Sequence, residues 1–154
     1  METPPVKLCM ACSSGGHLLQ FVQLRDWWSE YQRFWVTFDK PDARSILADE
    51  TVYWGHHPTT RSLWNLIRNA FLAVKLLWRE RPDVIVSSGA AIAVPFFYVG
   101  KLFGAKTIFI EGISRVGSPT LSGRMVRPVT DEFYVQWPQQ LEYFRGSKLL
   151  GRLI

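Results

Sequence analysis

Two serines, two glycines and a histidine stand together near the start of the chain, and they could bind and activate a phosphate-bearing substrate. They are Ser13, Ser14, Gly15, Gly16 and His17. Adjacent glycines let the backbone turn sharply and expose N–H groups, and a helix beginning here would add the positive end of its dipole. We therefore predict a phosphate or diphosphate site, with His17 placed to accept a proton. An unliganded tight turn with a packing histidine is the alternative.

A second candidate base, Glu111, ends an otherwise apolar run at residues 106–110. A carboxylate beside a buried strand is unfavourable unless it is hydrogen-bonded or takes part in the chemistry. Glu111 is therefore either a base or a structural acceptor for the N–H groups of residues 112–118. The residues alone leave open whether His17 or Glu111 removes a proton.

Further polar positions follow other apolar runs. Ser88 and Gly89 come directly after the run at 83–87, Arg115 follows Glu111, and Gln136 ends the run at 132–136. We predict that the diphosphate is bound by a set of small and basic residues: Ser13, Ser14, Gly15, Gly16, Ser88, Gly89 and Arg115.

The elements that would position these groups alternate between strands and helices. Apolar runs predict strands at 6–11, 33–38, 51–54, 83–87, 106–111 and 132–136. Helical spacing predicts helices at 18–28, 43–48, 62–79, about 95–104, 119–126 with Ser118 as N-cap, and 138–144. This alternation predicts a doubly wound parallel α/β sheet in a single domain, residues 1–154. Ligands of such sheets bind at the carboxyl ends of the strands, where the candidate residues stand.

The predicted helix at 62–79 is apolar around more of its circumference than one core can bury. Trp64, Ile67 and Phe71 stand beside Arg68, a combination typical of helices at a membrane interface. Deep burial is the alternative. The formal net charge of +5 favours anionic partners. The basic residues form no stripe or reading motif, so we predict membrane contact at Trp64, Ile67, Arg68 and Phe71 and no nucleic acid.

Cys9 and Cys12 have the spacing of a redox or zinc motif, but we expect them to be buried packing residues. Their offset of three within a strand would point the side chains to opposite faces, and the chain has no other cysteines. The glycine turn also lacks the Gly-x-Gly-x-x-Gly pattern of dinucleotide sites. We predict no metal and no cofactor.

Four segments in this order resemble the acceptor-binding, membrane-anchoring subunits of split GT-B glycosyltransferases. They are residues 14–17, 81–89, 108–111 and 135–138. The family includes the anchor subunit of the eukaryotic dolichol-linked N-acetylglucosaminyltransferase and bacterial polysaccharide proteins of the PssD/CpsF type. The eukaryotic anchor carries an N-terminal transmembrane helix that has no counterpart in this sequence, so we expect the bacterial branch.

The resemblance implies the Rossmann-like N-terminal half of a GT-B enzyme, peripheral or monotopic on the cytoplasmic face of the inner membrane. It implies a heteromeric inverting glycosyltransferase in exopolysaccharide or capsule synthesis. This chain would hold a polyprenyl-diphosphate-linked glycan, and a catalytic partner with the C-terminal GT-B half would bind the nucleotide sugar. UDP-glucuronic acid is a candidate donor, and galactose and N-acetylglucosamine are the alternative sugars. His17 or Glu111 would deprotonate the attacking hydroxyl. The alternative is a non-catalytic membrane scaffold that recruits and stabilises a catalytic subunit.

Overall fold

The computed structural model describes residues 5–153, and the strands in this range form one parallel sheet. They are β1 Lys7–Ala11, β2 Gln32–Phe38, β3 Val52–Gly55, β4 Val84–Ser87, β5 Lys106–Ile110, β6 Glu132–Val135 and β7 Lys148–Leu149. Their order across the sheet is β3-β2-β1-β4-β5-β6-β7, and each neighbouring pair is parallel. The direction of winding reverses between β1 and β4, the point at which doubly wound sheets bind ligands.

Helices cover both faces of the sheet, as this architecture requires. They are α1 Gly16–Val22, α2 Arg25–Trp28, α3 Pro41–Ile46, α4 Leu63–Glu80, α5 Ala93–Leu102 and α6 Leu121–Val126. One hydrophobic cluster joins the sheet to α1, α2 and α3, and the other joins it to α4, α5 and α6. The predicted doubly wound architecture is therefore confirmed.

Alternation along β1 divides its side chains between the two hydrophobic clusters. Cys9 packs with the cluster under α4 to α6, whereas Cys12 packs with the cluster under α1 to α3. Both are free cysteines with no exposed surface, which confirms the prediction of buried residues on opposite faces. Burial raises the pKa of both thiols, so neither is a thiolate at neutral pH.

The long helix α4 begins and ends with recognisable caps. The hydroxyl of Ser62 accepts a hydrogen bond from the N–H of Asn65 at 3.3 Å. At the other end Arg81 adopts a left-handed conformation with φ of 47°, and its N–H donates to the carbonyl of Leu77. These caps agree with the predicted helix to within a residue.

Other boundaries differ from the prediction. The helix expected at 18–28 is divided into α1 and α2, because the Leu24 N–H and the Trp28 indole both donate to the Phe21 carbonyl that a continuous helix would use. The helix expected after Ser118 begins after Thr120, whose hydroxyl accepts from the Gly123 N–H at 3.0 Å. The helix expected at 138–144 is a 3₁₀ turn, Pro138–Glu142, and the two-residue strand β7 was not predicted.

Candidate functional site

The carboxyl ends of β1, β4 and β5 bring three of the predicted segments together around His17. The His17 ring nitrogen Nδ1 lies 2.7 Å from the carbonyl oxygen of Ser88, and the Ser88 hydroxyl donates to the His17 carbonyl at 2.8 Å. A Cβ built on Gly112 would lie 3.8 Å from Cε1 of His17. The loops after β1, β4 and β5 therefore share one site, as the topology predicts.

The contact with Ser88 fixes which nitrogen of His17 carries the proton. A backbone carbonyl can only accept, so Nδ1 donates and the lone pair lies on Nε2. The ring is half-buried, and no residue within 5–153 bonds to Nε2. This arrangement suits a side chain that accepts a proton from a bound hydroxyl.

Gly89 lies directly against the His17 ring. Its φ of 124° favours glycine, and a Cβ there would come 2.7 Å from Cε1 of His17. Ser88 is fully buried and bonds His17 with both its hydroxyl and its carbonyl. We predicted from the sequence that Ser88 and Gly89 bind a diphosphate. The structure shows both residues in contact with His17, and their contact with a ligand stays a prediction.

The glycine turn is open, but one of its donors is already used. Gly15 has φ of 77°, and its N–H donates to Oδ2 of Asp42, in the first turn of α3, at 2.7 Å. The N–H groups of Gly16 and His17 have no partner in the described range. A Cβ at Gly15 or Gly16 would meet nothing within 4 Å. With Ser13 and Ser14 half-buried beside it, the turn leaves room for an anion at two free donors.

Glu111 is fully buried, and loop donors occupy both of its oxygens. Oε1 accepts from the Gly112 N–H at 2.9 Å and from the Thr120 hydroxyl at 2.7 Å, and Oε2 accepts from the Thr120 N–H at 3.1 Å. These contacts are those of the structural acceptor, the alternative that the residues left open. Thr120 lies beyond the stretch in which the donors were expected.

Residues 112–120 form a loop whose backbone carbonyls accept hydrogen bonds from three side chains. Trp137 donates to the Ile113 carbonyl at 2.6 Å, Gln140 donates to the Arg115 carbonyl, and the Tyr143 hydroxyl donates to the Gly117 carbonyl at 2.7 Å. Arg115 itself is exposed on this loop. Arg115 is therefore a cation near the carboxyl ends of the strands, on a loop whose backbone is held by hydrogen bonds.

A buried pair of amides joins α1 to the ends of β5 and β6. The Gln136 side-chain NH₂ donates to Oε1 of Gln20 at 2.5 Å and to the Glu111 carbonyl at 2.9 Å, while its oxygen accepts from the Leu153 N–H at 2.8 Å. Gln20 lies one turn after His17 on α1. These amides fix the helix that carries His17 against the strand ends, and no local pattern pointed to Gln20 beforehand.

A row of apolar side chains on α4 faces outwards. Trp64 and Phe71 are 69% and 73% exposed, Ile67 is 41% exposed, and Arg68 lies beside them at the surface. We call the exposed row the α4 stripe: Trp64, Ile67, Phe71, Val74 and Trp78. The opposite side of the helix is buried, so the alternative of a deeply buried α4 is wrong. Within residues 5–153, no helix has the length and apolarity needed to cross a bilayer.

The architecture and the position of the site at the strand ends define the class of protein, a doubly wound, Rossmann-like α/β domain. The structure aligns with the crystal structure of Acinetobacter baumannii MurG with a TM-score of 0.74 and 14% identity, covering 96% of this chain and 44% of that chain. This likeness confirms the predicted fold class.

Residues 55–153 match the family of oligosaccharide biosynthesis proteins described as Alg14 like, and the chain belongs to that family. The UDP-N-acetylglucosamine transferase subunit ALG14 of Yarrowia lipolytica is 35% identical over 89 residues, 54% of this chain and 41% of that protein. The same subunit of Debaryomyces hansenii is 28% identical over 175 residues, 92% of this chain and 73% of that protein. The chain spans about half the length of most of the relatives that it matches. The resemblance to the anchor subunit of the dolichol-linked N-acetylglucosaminyltransferase is thereby confirmed, and the expected bacterial branch stays a prediction.

Proposed function

We propose that this chain is the acceptor-binding subunit of a heteromeric glycosyltransferase, whose partner subunit provides the half that binds the nucleotide sugar. The observation that carries the proposal is His17, held by Ser88 with Nε2 free, next to an open glycine turn. Two comparisons support it. The relatives are named as transferase subunits, and the fold matches less than half of MurG.

In this proposal the acceptor is a polyprenyl-diphosphate-linked glycan, with its diphosphate at the glycine turn. The free N–H groups of Gly16 and His17 face the diphosphate, and Ser13, Ser14 and Arg115 supply further donors. The Gly15 N–H remains hydrogen-bonded to Asp42, so the anion binds on the side of the turn away from α3. Placing the diphosphate here brings the acceptor sugar towards the His17 ring.

His17, rather than Glu111, is the base in this proposal. Nε2 takes the proton of the attacking hydroxyl, the hydroxyl oxygen bonds to the anomeric carbon of the donor, and the nucleoside diphosphate leaves from the opposite side. Such an in-line displacement inverts the anomeric centre. Glu111 instead positions the loop of residues 112–120, because its oxygens are already occupied by Gly112 and Thr120.

The donor is a UDP-sugar in this proposal, and two candidates have different support. The relatives' names favour UDP-N-acetylglucosamine. The resemblance to bacterial polysaccharide proteins favours UDP-glucuronic acid and a role in exopolysaccharide or capsule synthesis. Parallel assays with both donors and one lipid acceptor decide between them.

Dependence on the partner tests the proposed function. A lone Rossmann-like half provides one wall of the cleft, so we expect this chain alone to show no transfer above background. A partner chain that carries the GT-B C-terminal half should restore transfer when the two are mixed. The measurement is sugar incorporated into a lipid-linked acceptor, and turnover by this chain by itself would contradict the proposal.

We further propose that the α4 stripe holds the subunit peripherally on the cytoplasmic face of the inner membrane. Residues 63–79 include several basic side chains and no Asp or Glu, which complements an anionic lipid surface. Replacing Trp64, Ile67 and Phe71 by Gln should weaken binding to phosphatidylglycerol vesicles by roughly 100-fold or more, since each large apolar side chain contributes on the order of 1.5–3 kcal/mol when buried. Vesicle co-sedimentation measures this.

A matched triple variant controls for the loss of exposed apolar surface in general. Leu19, Leu141 and Leu149 are also exposed but lie outside α4, and their replacement by Gln should leave vesicle binding unchanged. Equal loss in both triple variants, or no loss in either, would argue against a membrane contact through α4.

A further inference from the structure

A cavity of about 570 Å³ opens at the amino ends of the strands, on the opposite side of the sheet from the carboxyl ends where His17 lies. It lies between the C-terminal ends of α4 and α5, and Trp78, Arg81, Asp83 and Phe103 are among its lining residues. Asp83 directly precedes β4, which places the cavity at the amino ends of the strands. The cavity is therefore separate from the site around His17.

Two opposite charges face this cavity without neutralising each other. Arg81 and Asp83 are both exposed, and neither forms an ion pair with any residue in 5–153. The Arg81 guanidinium lies 5.3 Å from the centre of the Trp78 ring, and its Nε donates to the Trp78 carbonyl at 3.4 Å. Asp83 Oδ2 accepts from the Lys7 N–H at 2.8 Å, and its other oxygen has no partner in the described part of the chain. Both charges are held in place and open to a ligand.

The outer rim of the cavity is apolar and continues the α4 stripe. Trp78, the last residue of the stripe, lies against Phe103 with ring centres 6.2 Å apart. Leu102, next to Phe103, is 84% exposed. Gly104 lines the cavity, and a Cβ there would meet nothing within 4 Å, so the space beside the rings is open. A ligand that fits this arrangement has a polar end for the cavity and an apolar part for the rim.

We propose that the cavity binds the zwitterionic headgroup of a membrane phospholipid of the phosphoethanolamine type. Arg81 binds the phosphate, Asp83 binds the ammonium, and the acyl chains lie along Phe103 and the α4 stripe. A headgroup with phosphate alone would leave the Asp83 carboxylate facing an anion, and a quaternary ammonium could not donate to it. The proposal rests on the membrane contact proposed above for α4.

Soluble headgroups test the cavity independently of any membrane. We expect glycerophosphoethanolamine to shift the NMR signal of the Trp78 indole N–H with millimolar affinity. Glycerophosphoglycerol, which lacks the ammonium, should bind about tenfold more weakly or not at all. Equal binding of the two compounds, or no shift at Trp78 with either, would overturn the proposal.

Single substitutions test whether the charges of Arg81 and Asp83 bind the headgroup. Arg81→Asn keeps a residue that tolerates a φ of 47°, and Asp83→Asn keeps an acceptor for the Lys7 N–H, so both variants should fold. Each should weaken glycerophosphoethanolamine binding about tenfold, and Arg81→Lys should restore part of it. Arg79→Asn removes the same charge two residues earlier, outside the cavity lining, and should leave binding unchanged. Thermal melts verify folding, and unaltered binding by folded Arg81→Asn would overturn the proposal.

Vesicles separate this proposal from the membrane contact on which it rests. At constant phosphatidylglycerol content, added phosphatidylethanolamine should strengthen binding of the native chain about tenfold and that of Arg81→Asn not at all. Vesicle binding that ignores phosphatidylethanolamine would overturn the headgroup site and leave the α4 contact standing. Binding of glycerophosphoethanolamine without binding to any vesicle would overturn the lipid as its source and the α4 contact together.

Discussion

Replacement of His17 by alanine is expected to lower sugar transfer by the reconstituted pair by about 10²- to 10⁴-fold, the usual contribution of a general base. Nε2 of His17 is the free ring nitrogen, and contacts with Ser88 and Gly89 hold the ring in its orientation. The variant should keep its fold, because the ring is only half-buried. Initial rates at saturating acceptor measure the effect, which should fall on kcat rather than on KM.

His57→Ala is the matched control for His17. His57 is exposed in the loop after β3, at the same edge of the sheet, and we assign it no role in transfer. Its variant should transfer sugar at close to the native rate. If His17→Ala also kept the native rate and still bound the partner, the assignment of a base to this chain would be contradicted, and the non-catalytic membrane scaffold would be favoured.

Glu111→Gln is expected to lower the free energy of unfolding by about 3 kcal/mol, because its NH₂ group replaces one of the two buried acceptor oxygens and faces the N–H of either Gly112 or Thr120. For a chain of this size that corresponds to a fall of roughly 9 °C in Tm. Thermal and urea unfolding measure the effect. Any loss of transfer should appear mainly in KM for the acceptor, since the loop that carries Arg115 loses its anchor.

Glu142→Gln is the control for Glu111, because Glu142 is exposed and its side chain forms no ion pair within residues 5–153. Its free energy of unfolding should stay within about 0.5 kcal/mol of the native value. A Glu111→Gln variant that is as stable as the native chain yet inactive at saturating acceptor would contradict the structural role. It would then identify Glu111 as the base.

Local signals in the sequence were sufficient for the architecture. Apolar runs such as 83–87, bounded by Pro82 and Gly89, mark buried parallel strands whether or not their neighbours are known. The strand ends indicated the position of the site, and His17, Ser88 and Gly89 are found together there. Glu111 was selected by the same reasoning, but its carboxylate bonds Gly112 and Thr120. The α4 stripe was likewise visible as a surplus of apolar residues on one helix.

Contacts between distant segments could not be derived in this way. Asp42 bonds Gly15 across 27 positions, and Gln136 bonds Gln20 across 116 positions. Neither pair has a local signature, because hydrogen bonds between side chains depend on the final packing of the sheet and helices. Thr120 shows the same limit on a smaller scale, since its hydroxyl caps α6 and also donates to the carboxylate of Glu111, nine residues earlier.

An NMR titration of this chain with a short-chain, soluble prenyl-diphosphate sugar would show where the acceptor binds. The proposal predicts the largest shifts at the Gly16 and His17 N–H groups and at the His17 ring, with smaller shifts at Arg115. Saturating shifts confined to other parts of the chain, with Gly16 and His17 unmoved, would contradict acceptor binding at the glycine turn and the transfer mechanism built on it.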